Sequence, residues 1–183
     1  MKLVYFHVYG EKEFDRIYDV KFSPSVSLIT DTIPINSFTV RVISDTDPDF
    51  RNGLKVSLIG DGVVYAKYYI TKAKHIEENI WEVVAEDMIA KLENVTLKEE
   101  YIGNMEYDQY MERFIEQIDL ATKGAWSPNI LTADDFSEEH ILGFLPEQTA
   151  RERLQYVLFT IGAYIQTPYD LNVGEQEYIL ECQ

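Results

Sequence analysis

Leu145–Thr167, LPEQTARERLQYVLFTIGAYIQT, is the most legible stretch of this chain, and the fold is read outward from it. Thr149 stands three residues before Glu152, the spacing of a capping box. The Thr hydroxyl accepts from the third helical N–H, and the Glu carboxylate reaches back to the N–H of the cap. Pro146 lies just upstream, where the chain is still extended. Leu154, Val157, Leu158 and Ile161 then recur at helical spacing and make one apolar stripe. Gly162 follows, where a left-handed C-terminal residue is easiest for glycine. AYIQT alternates as a strand does, PYDLNVGEQ holds turn residues, and EYILEC alternates again. The segment reads helix, strand, turn, strand. A helix with one apolar stripe must bury it, either as a core helix lying on a sheet or against a binding partner.

Bulk properties bound the rest. The 183 residues are 46% apolar and 26% charged, which suits a globular protein able to bury a real core. The net charge of -16 argues against binding along a nucleic-acid backbone, which needs clustered Lys and Arg to displace counterions. The charge is uneven. Residues 1–100 hold 17 acids and 12 bases; residues 101–183 hold 15 acids and only 4 bases. One cysteine, Cys182, excludes an internal disulfide framework. No apolar run reaches membrane-spanning length, and the opening MKLVYFHVYGEKEFD reads as a strand followed by acids, not as a signal peptide.

Residues 1–100 are read as mostly β. LVYFHVY is a first strand, and SVSLITDTIPINSFTVRVI gives two strands interrupted at Pro34. LKVSLIGDGVVYAKYYITKA is a hairpin, because Asp61-Gly62 supplies the positive φ angles of a tight turn. NIWEVVAED follows through the polar turn HIEEN, and Asp87 caps a short helix, MIAKLEN. Short strands with regular turn signals predict a small β-barrel or sandwich. The character changes near residue 100. NMEYDQYMERFIEQIDLA is helical, with Tyr107, Met111, Phe114, Ile115 and Ile118 on one face, and TKGAWSPNILTADDFSEEHILGF is irregular. The expected class is α+β and β-rich. The expected domains are a β-barrel-like 1–100 and a smaller α+β domain, 101–183, with two helices and a C-terminal hairpin.

Motifs that carry chemistry are missing. His7, His75 and His140 have no partner at metal-ligand spacing, and there is no HExxH, CxxC, GxSxG or P-loop. Asp45, Asp47 and Asp49 begin like a calcium loop, but the sixth and twelfth positions are Phe50 and Val56, and Pro48 intrudes. The reading is therefore no catalytic residues, no cofactor and no metal. Asp108, Glu112 and Glu116 form an i, i+4, i+8 acidic stripe, in which like charges cost a few tenths of a kcal/mol per pair (~0.2–0.5). It is either a solvated face or a functional one. Trp126, in the loop GAWSPN, is a candidate exposed ring; Trp81, in a strand, is a core candidate.

The order of these segments resembles the N-terminal part of phage and prophage tail proteins of the baseplate hub and tail-tip type. The residues that carry it are YYITKAKHIEENIWEVVAEDMIAKLENV, YIGNMEYDQYMERFIEQI and LPEQTARERLQYVLFTIGAYIQT, across roughly residues 25–170. In that family a strand ending in an aspartate leads into a short helix. Later an Arg-x-x-Leu-Gln segment opens a helix that ends at Gly-Ala and passes into a strand, here Arg151, Leu154, Gln155, Gly162 and Ala163. The resemblance implies a non-enzymatic structural component of the tail, made in the host cytoplasm. It implies a homotrimer whose β-rich domains form a ring, other tail and baseplate proteins as partners, and DNA passing along the axis without specific binding. Members are often longer, with C-terminal regions that bind or cleave cell-wall material. Under this reading Asp108, Glu112 and Glu116 are candidates to face the channel and repel passing phosphates. The alternatives are a tail-associated, peptidase-type cell-wall hydrolase and a module that binds host-surface glycans.

Overall fold

The computed structural model describes residues 1–7, 9–23, 33, 35–124, 130–132, 140–161, 163–166 and 178–182. The chain divides into two compact units. The first comprises Met1–Val26 and Pro34–Met88, the second Ser27–Ile33 and Ile89–Gln183. The α+β, β-rich class is what the structure shows.

Among its described residues the first unit is one antiparallel sheet of seven strands: β1 (Lys2–His7), β2 (Gly10–Phe14), β3 (Ile17–Ser23), β4 (Ser37–Ile43), β5 (Lys55–Gly60), β6 (Val63–Glu77) and β7 (Ile80–Glu86). Their order across the sheet is β2-β1-β5-β6-β7-β4-β3. Strands β2 and β3 are consecutive in the chain yet lie at opposite edges. Only Asp15 and Arg16 join them, so three Cα steps bring the edges within about 11 Å. A flat sheet of this order would hold them about 29 Å apart at 4.8 Å per strand. The sheet is therefore rolled. Among the described residues the two edge strands do not pair, so the roll is open along that seam and is not a closed barrel.

Period-2 alternation fills the inside of the roll. Leu3 and Tyr5, Phe38, Val40 and Val42, Val56 and Leu58, Ala66 and Ile70, and Val83 and Ala85 form one buried cluster. Each buried Val, Leu, Ile or Phe side chain contributes about 1.5–3 kcal/mol. Phe50, from the loop before β5, plugs this interior. Its ring lies 5.2 Å from Tyr5 and from Phe14 and 6.4 Å from Trp81, so it touches strands on both sides of the seam. The β5–β6 turn has Asp61 at φ 52° and Gly62 at φ 77°, as its sequence predicts.

The edge strands β2 and β3 are additions to the sequence reading. GEKEF is exposed along almost its whole length, and IYDVKFS is exposed at most positions. Charged and half-exposed, they lack the alternation by which a strand is recognised. The expected strand SVSLITDTI before Pro34 (all but Ile33), the break at Pro34 and the cap at Gly162 lie outside the described residues.

Among its described residues the second unit holds three helices: α1 (Met88–Glu93), which begins at the unit boundary, α2 (Tyr107–Thr122) and α3 (Ala150–Ile161). Its strands are β8 (Thr96–Leu97), β9 (Glu100–Glu106), β10 (Ile130–Thr132), β11 (His140–Leu145), β12 (Gln148–Thr149), β13 (Ala163–Gln166) and β14 (Tyr178–Cys182). Strand β9 pairs antiparallel with β11, β12 with β8, and β13 with β14, while β10 joins β14 in parallel. The segment 104–106, expected as the start of a helix, is instead the end of β9. Helix α2 buries Tyr107, Tyr110, Met111, Phe114 and Ile118; Ile115 is only half-buried and Tyr110 takes its place. Helix α3 buries Leu154, Val157 and Leu158 of its predicted stripe, with Arg153 among them, while Ile161 is only half-buried. No described helix is long and apolar enough to cross a membrane.

Candidate functional site

The capping box forms as its spacing predicts. The Thr149 N–H donates to Glu152 Oε2 at 2.9 Å, and the Glu152 N–H donates to Thr149 Oγ1 at 3.2 Å. The Thr149 N–H first, and the Thr149 hydroxyl 3.0 Å from Glu152 Oε2 second, hold the Glu152 carboxyl below its usual range. Thr149 also belongs to β12, opposite Thr96, so the helix start is tied into a strand pair. Arg151 donates through Nε to the Ile33 carbonyl at 3.0 Å and pairs with Glu93.

Arg153 is the residue the sequence reading missed. It is fully buried, and its Nη2 donates at 2.7 Å to both the Lys98 and Pro146 carbonyls. Its Nη1 donates to Gln117 Oε1 at 3.3 Å and lies 3.9 Å from Glu100 Oε2. Glu100 is itself bonded by Gln117 and paired with Arg113. One guanidinium thus ties α3 to α2, to the residues before β9 and to the residue after β11. A signal was present: position 153 falls within the stripe defined by 150, 154, 157 and 158, where only a buried side chain fits. Burial also pushes the Tyr110 hydroxyl above its ordinary range.

The predicted acidic residues do share α2, but not equally. Glu112 and Glu116 are exposed, whereas Asp108 is half-buried, with one carboxylate oxygen buried and, among the described residues, no donor against it. Asp45, Asp47 and Asp49 turn to three different partners. Arg16 Nη1 donates to Asp45 at 3.0 Å, Asp47 accepts the Asp49 N–H at 2.8 Å, and Asp49 takes Arg51 through Nε and Nη2 at 3.1 and 2.8 Å. Asp49 also faces His7 Nε2 at 3.0 Å. Tyr9 N–H donates to His7 Nδ1 at 3.3 Å, so the proton of the neutral ring sits on Nε2 and is donated to Asp49. His7 is therefore a satisfied core histidine. His75 stacks on Trp81, with centroids 4.7 Å apart, and Trp81 packs on the core. The side chain of His140 and the whole of Trp126 lie outside the described residues. Among the described residues no three His, Cys, Asp or Glu side chains gather as a metal site.

What the second unit does present is an uncovered aromatic pair. Tyr101 and Phe144 oppose each other in the β9–β11 ladder, 76% and 56% exposed. Their chain neighbours Ile102 and Leu145 are buried.

No family model matches this sequence, and none of the curated proteins does. Solved structures do match. A 43 kDa tail protein of prophage MuSo2 from Shewanella oneidensis superposes with a TM-score of 0.60 at 7% identity, over 99% of this chain and 55% of that one. A tail protein from Neisseria meningitidis MC58 gives 0.62 at 14% identity, over 98% and 50%. Prophage tail protein gp18 from Listeria monocytogenes EGD-e gives 0.61 at 11% identity, over 100% and 51%. This chain spans about half the length of each. It has the fold of prophage tail proteins, over nearly all of its residues.

Proposed function

We propose that this chain is a structural component of a bacteriophage or prophage tail, placed at the baseplate hub or tail tip and working by self-assembly rather than catalysis. The observation that carries the reading is the likeness to three tail proteins over 98–100% of the chain. The assembled form is a homotrimeric ring around the channel through which DNA passes, bound on its other faces by further tail proteins. The rolled sheet suits this role: a rigid unit with charged edges can stand beside its copies without pairing strands at random. Glu112 and Glu116, exposed on α2, are the members of the acidic stripe available to face the channel, where carboxylates would repel phosphates. Electron microscopy of the purified chain at high concentration tests the reading. Rings with a central hole support it, and a population of isolated monomers at every concentration counts against it.

A further inference from the structure

We propose that His7 makes the turn between β1 and β2 acid-sensitive: when its imidazole takes a second proton, the bond that holds the Tyr9 backbone is lost and the turn carrying the Tyr9 ring is released. This goes beyond the self-assembly reading and does not rest on it.

The imidazole holds the turn. Strands β1 and β2 close on the pair His7 and Gly10, and the Tyr9 N–H between them donates to His7 Nδ1 at 3.3 Å. A side-chain acceptor thus serves a backbone donor two residues on, as Asn and Asp do in other turns. The second ring nitrogen, Nε2, faces Asp49 Oδ2 at 3.0 Å and carries the proton. Neutral imidazole has one donor and one acceptor, and both are in use. The His7 side chain is only 3% exposed, so water has little access to replace either partner.

A second proton has one place to go. It binds Nδ1, where it meets the Tyr9 N–H; two donors then face each other, and the bond is lost. Asp49 keeps its hold. The hydrogen bonds from Arg51, first among the causes, keep the Asp49 carboxyl below its usual range, so it is an anion wherever an imidazole titrates. Its charge draws the imidazolium toward the loop before β5 and away from the turn. Arg51 stands behind Asp49, the Tyr5 and Tyr9 rings lie 5.8 and 5.1 Å from the imidazole, and Lys12, from β2, reaches the Pro48 carbonyl at 3.4 Å.

The two sides of the ring are not held equally. The loop is fastened independently of His7. The Tyr5 hydroxyl donates to the Asp49 carbonyl at 2.9 Å, the Arg51 N–H donates to the Tyr5 hydroxyl at 3.1 Å, and Phe50 packs on Tyr5, Phe14 and Trp81. The turn ends in Tyr9, which at 91% is the most exposed large apolar side chain among the described residues. It is therefore the turn that gives way, and the surface that Tyr9 presents depends on pH.

The test is an NMR titration of the isotope-labelled full chain from about pH 8 to about pH 5.5, the range in which imidazoles change charge. At the upper end the His7 ring should carry its proton on Nε2. As the His7 ring signals move, exchange protection of the Tyr9 amide, measured against an unstructured peptide at the same pH, should fall about tenfold in step with them. The Arg51 amide should keep its protection. His7→Asn places an acceptor near the position of Nδ1 that takes no proton, and should keep the Tyr9 amide protected throughout. Tyr9 protection that ignores the His7 signals, or falls equally in His7→Asn, overturns the proposal. So does a His7 ring that stays neutral to the lower limit, or an Arg51 amide that loses protection together with Tyr9.

Discussion

Arg153 Nη2 donates to the Lys98 carbonyl at 2.7 Å from a side chain with no solvent exposure. The same nitrogen reaches Pro146, and the neighbouring one reaches Gln117. A lysine has no planar fork with which to reach carbonyls on several elements at once. Arg153→Ala should therefore lower unfolding free energy by about 3–5 kcal/mol, since it strips partners from buried acceptors and from Glu100. Arg153→Lys should recover only part of that. Urea denaturation of the three proteins measures it, and Arg153→Lys matching the parent would refute the role.

The cap of α3 gives a pH-dependent prediction. Thr149→Ala should cost about 1 kcal/mol at neutral pH. Glu152 binds its proton more weakly folded than unfolded, because Thr149 stabilises the carboxylate. Its contribution is therefore complete above the unfolded value of about 4.3, and is lost as pH falls through the lower, folded value. The gap between the parent and Glu152→Gln should narrow across that range. Thermal melts at pH 7 and at decreasing acidic pH check the sign.

The β5–β6 turn provides a local test. Gly62 sits at φ 77° after Asp61 at φ 52°. Gly62→Ala should destabilise by about 1–2 kcal/mol, the cost of a left-handed residue with a Cβ. Gly124, at φ 73° behind Lys123 at φ 55°, ends α2 in the same way, its N–H donating to the Asp119 carbonyl at 2.8 Å.

How much of this was legible in the sequence depended on how local the determining interaction is. The α3 cap, the Asp-Gly hairpin and most of the α2 face are specified within a few residues, and the structure has them, with Tyr110 buried where Ile115 was expected. Strands β2 and β3 were not legible, because GEKEF turns almost nothing inward and IYDVKFS is broken at Asp19. A barrel-like sheet was expected from the turn spacing, but not that it stays open between β2 and β3, which follows from strand order and a two-residue link. Tyr101 and Phe144 meet only through a register between residues 43 positions apart. Arg153 stood in the apolar stripe of its own helix, but the carbonyls it serves belong to other elements. Asp108, by contrast, was read as equivalent to Glu112 and Glu116, and tertiary packing half-buried it.

The acidic stripe can be tested apart from assembly. Glu112→Lys with Glu116→Lys should leave stability within about 0.5 kcal/mol of the parent, since both side chains are exposed. If these residues line a DNA channel, the assembled variant should retain short duplex DNA at low salt and release it as salt rises, whereas the parent retains none. A filter-retention assay at two salt concentrations decides it. Equal retention by both proteins would remove the stripe from the channel.

The most direct test of the central claim is solution mass by light scattering coupled to size exclusion, over a wide range of concentrations. The account predicts a species at three times the chain mass of 21.3 kDa, growing at the expense of monomer as concentration rises. A mass of 21.3 kDa at every concentration would contradict assembly as a ring.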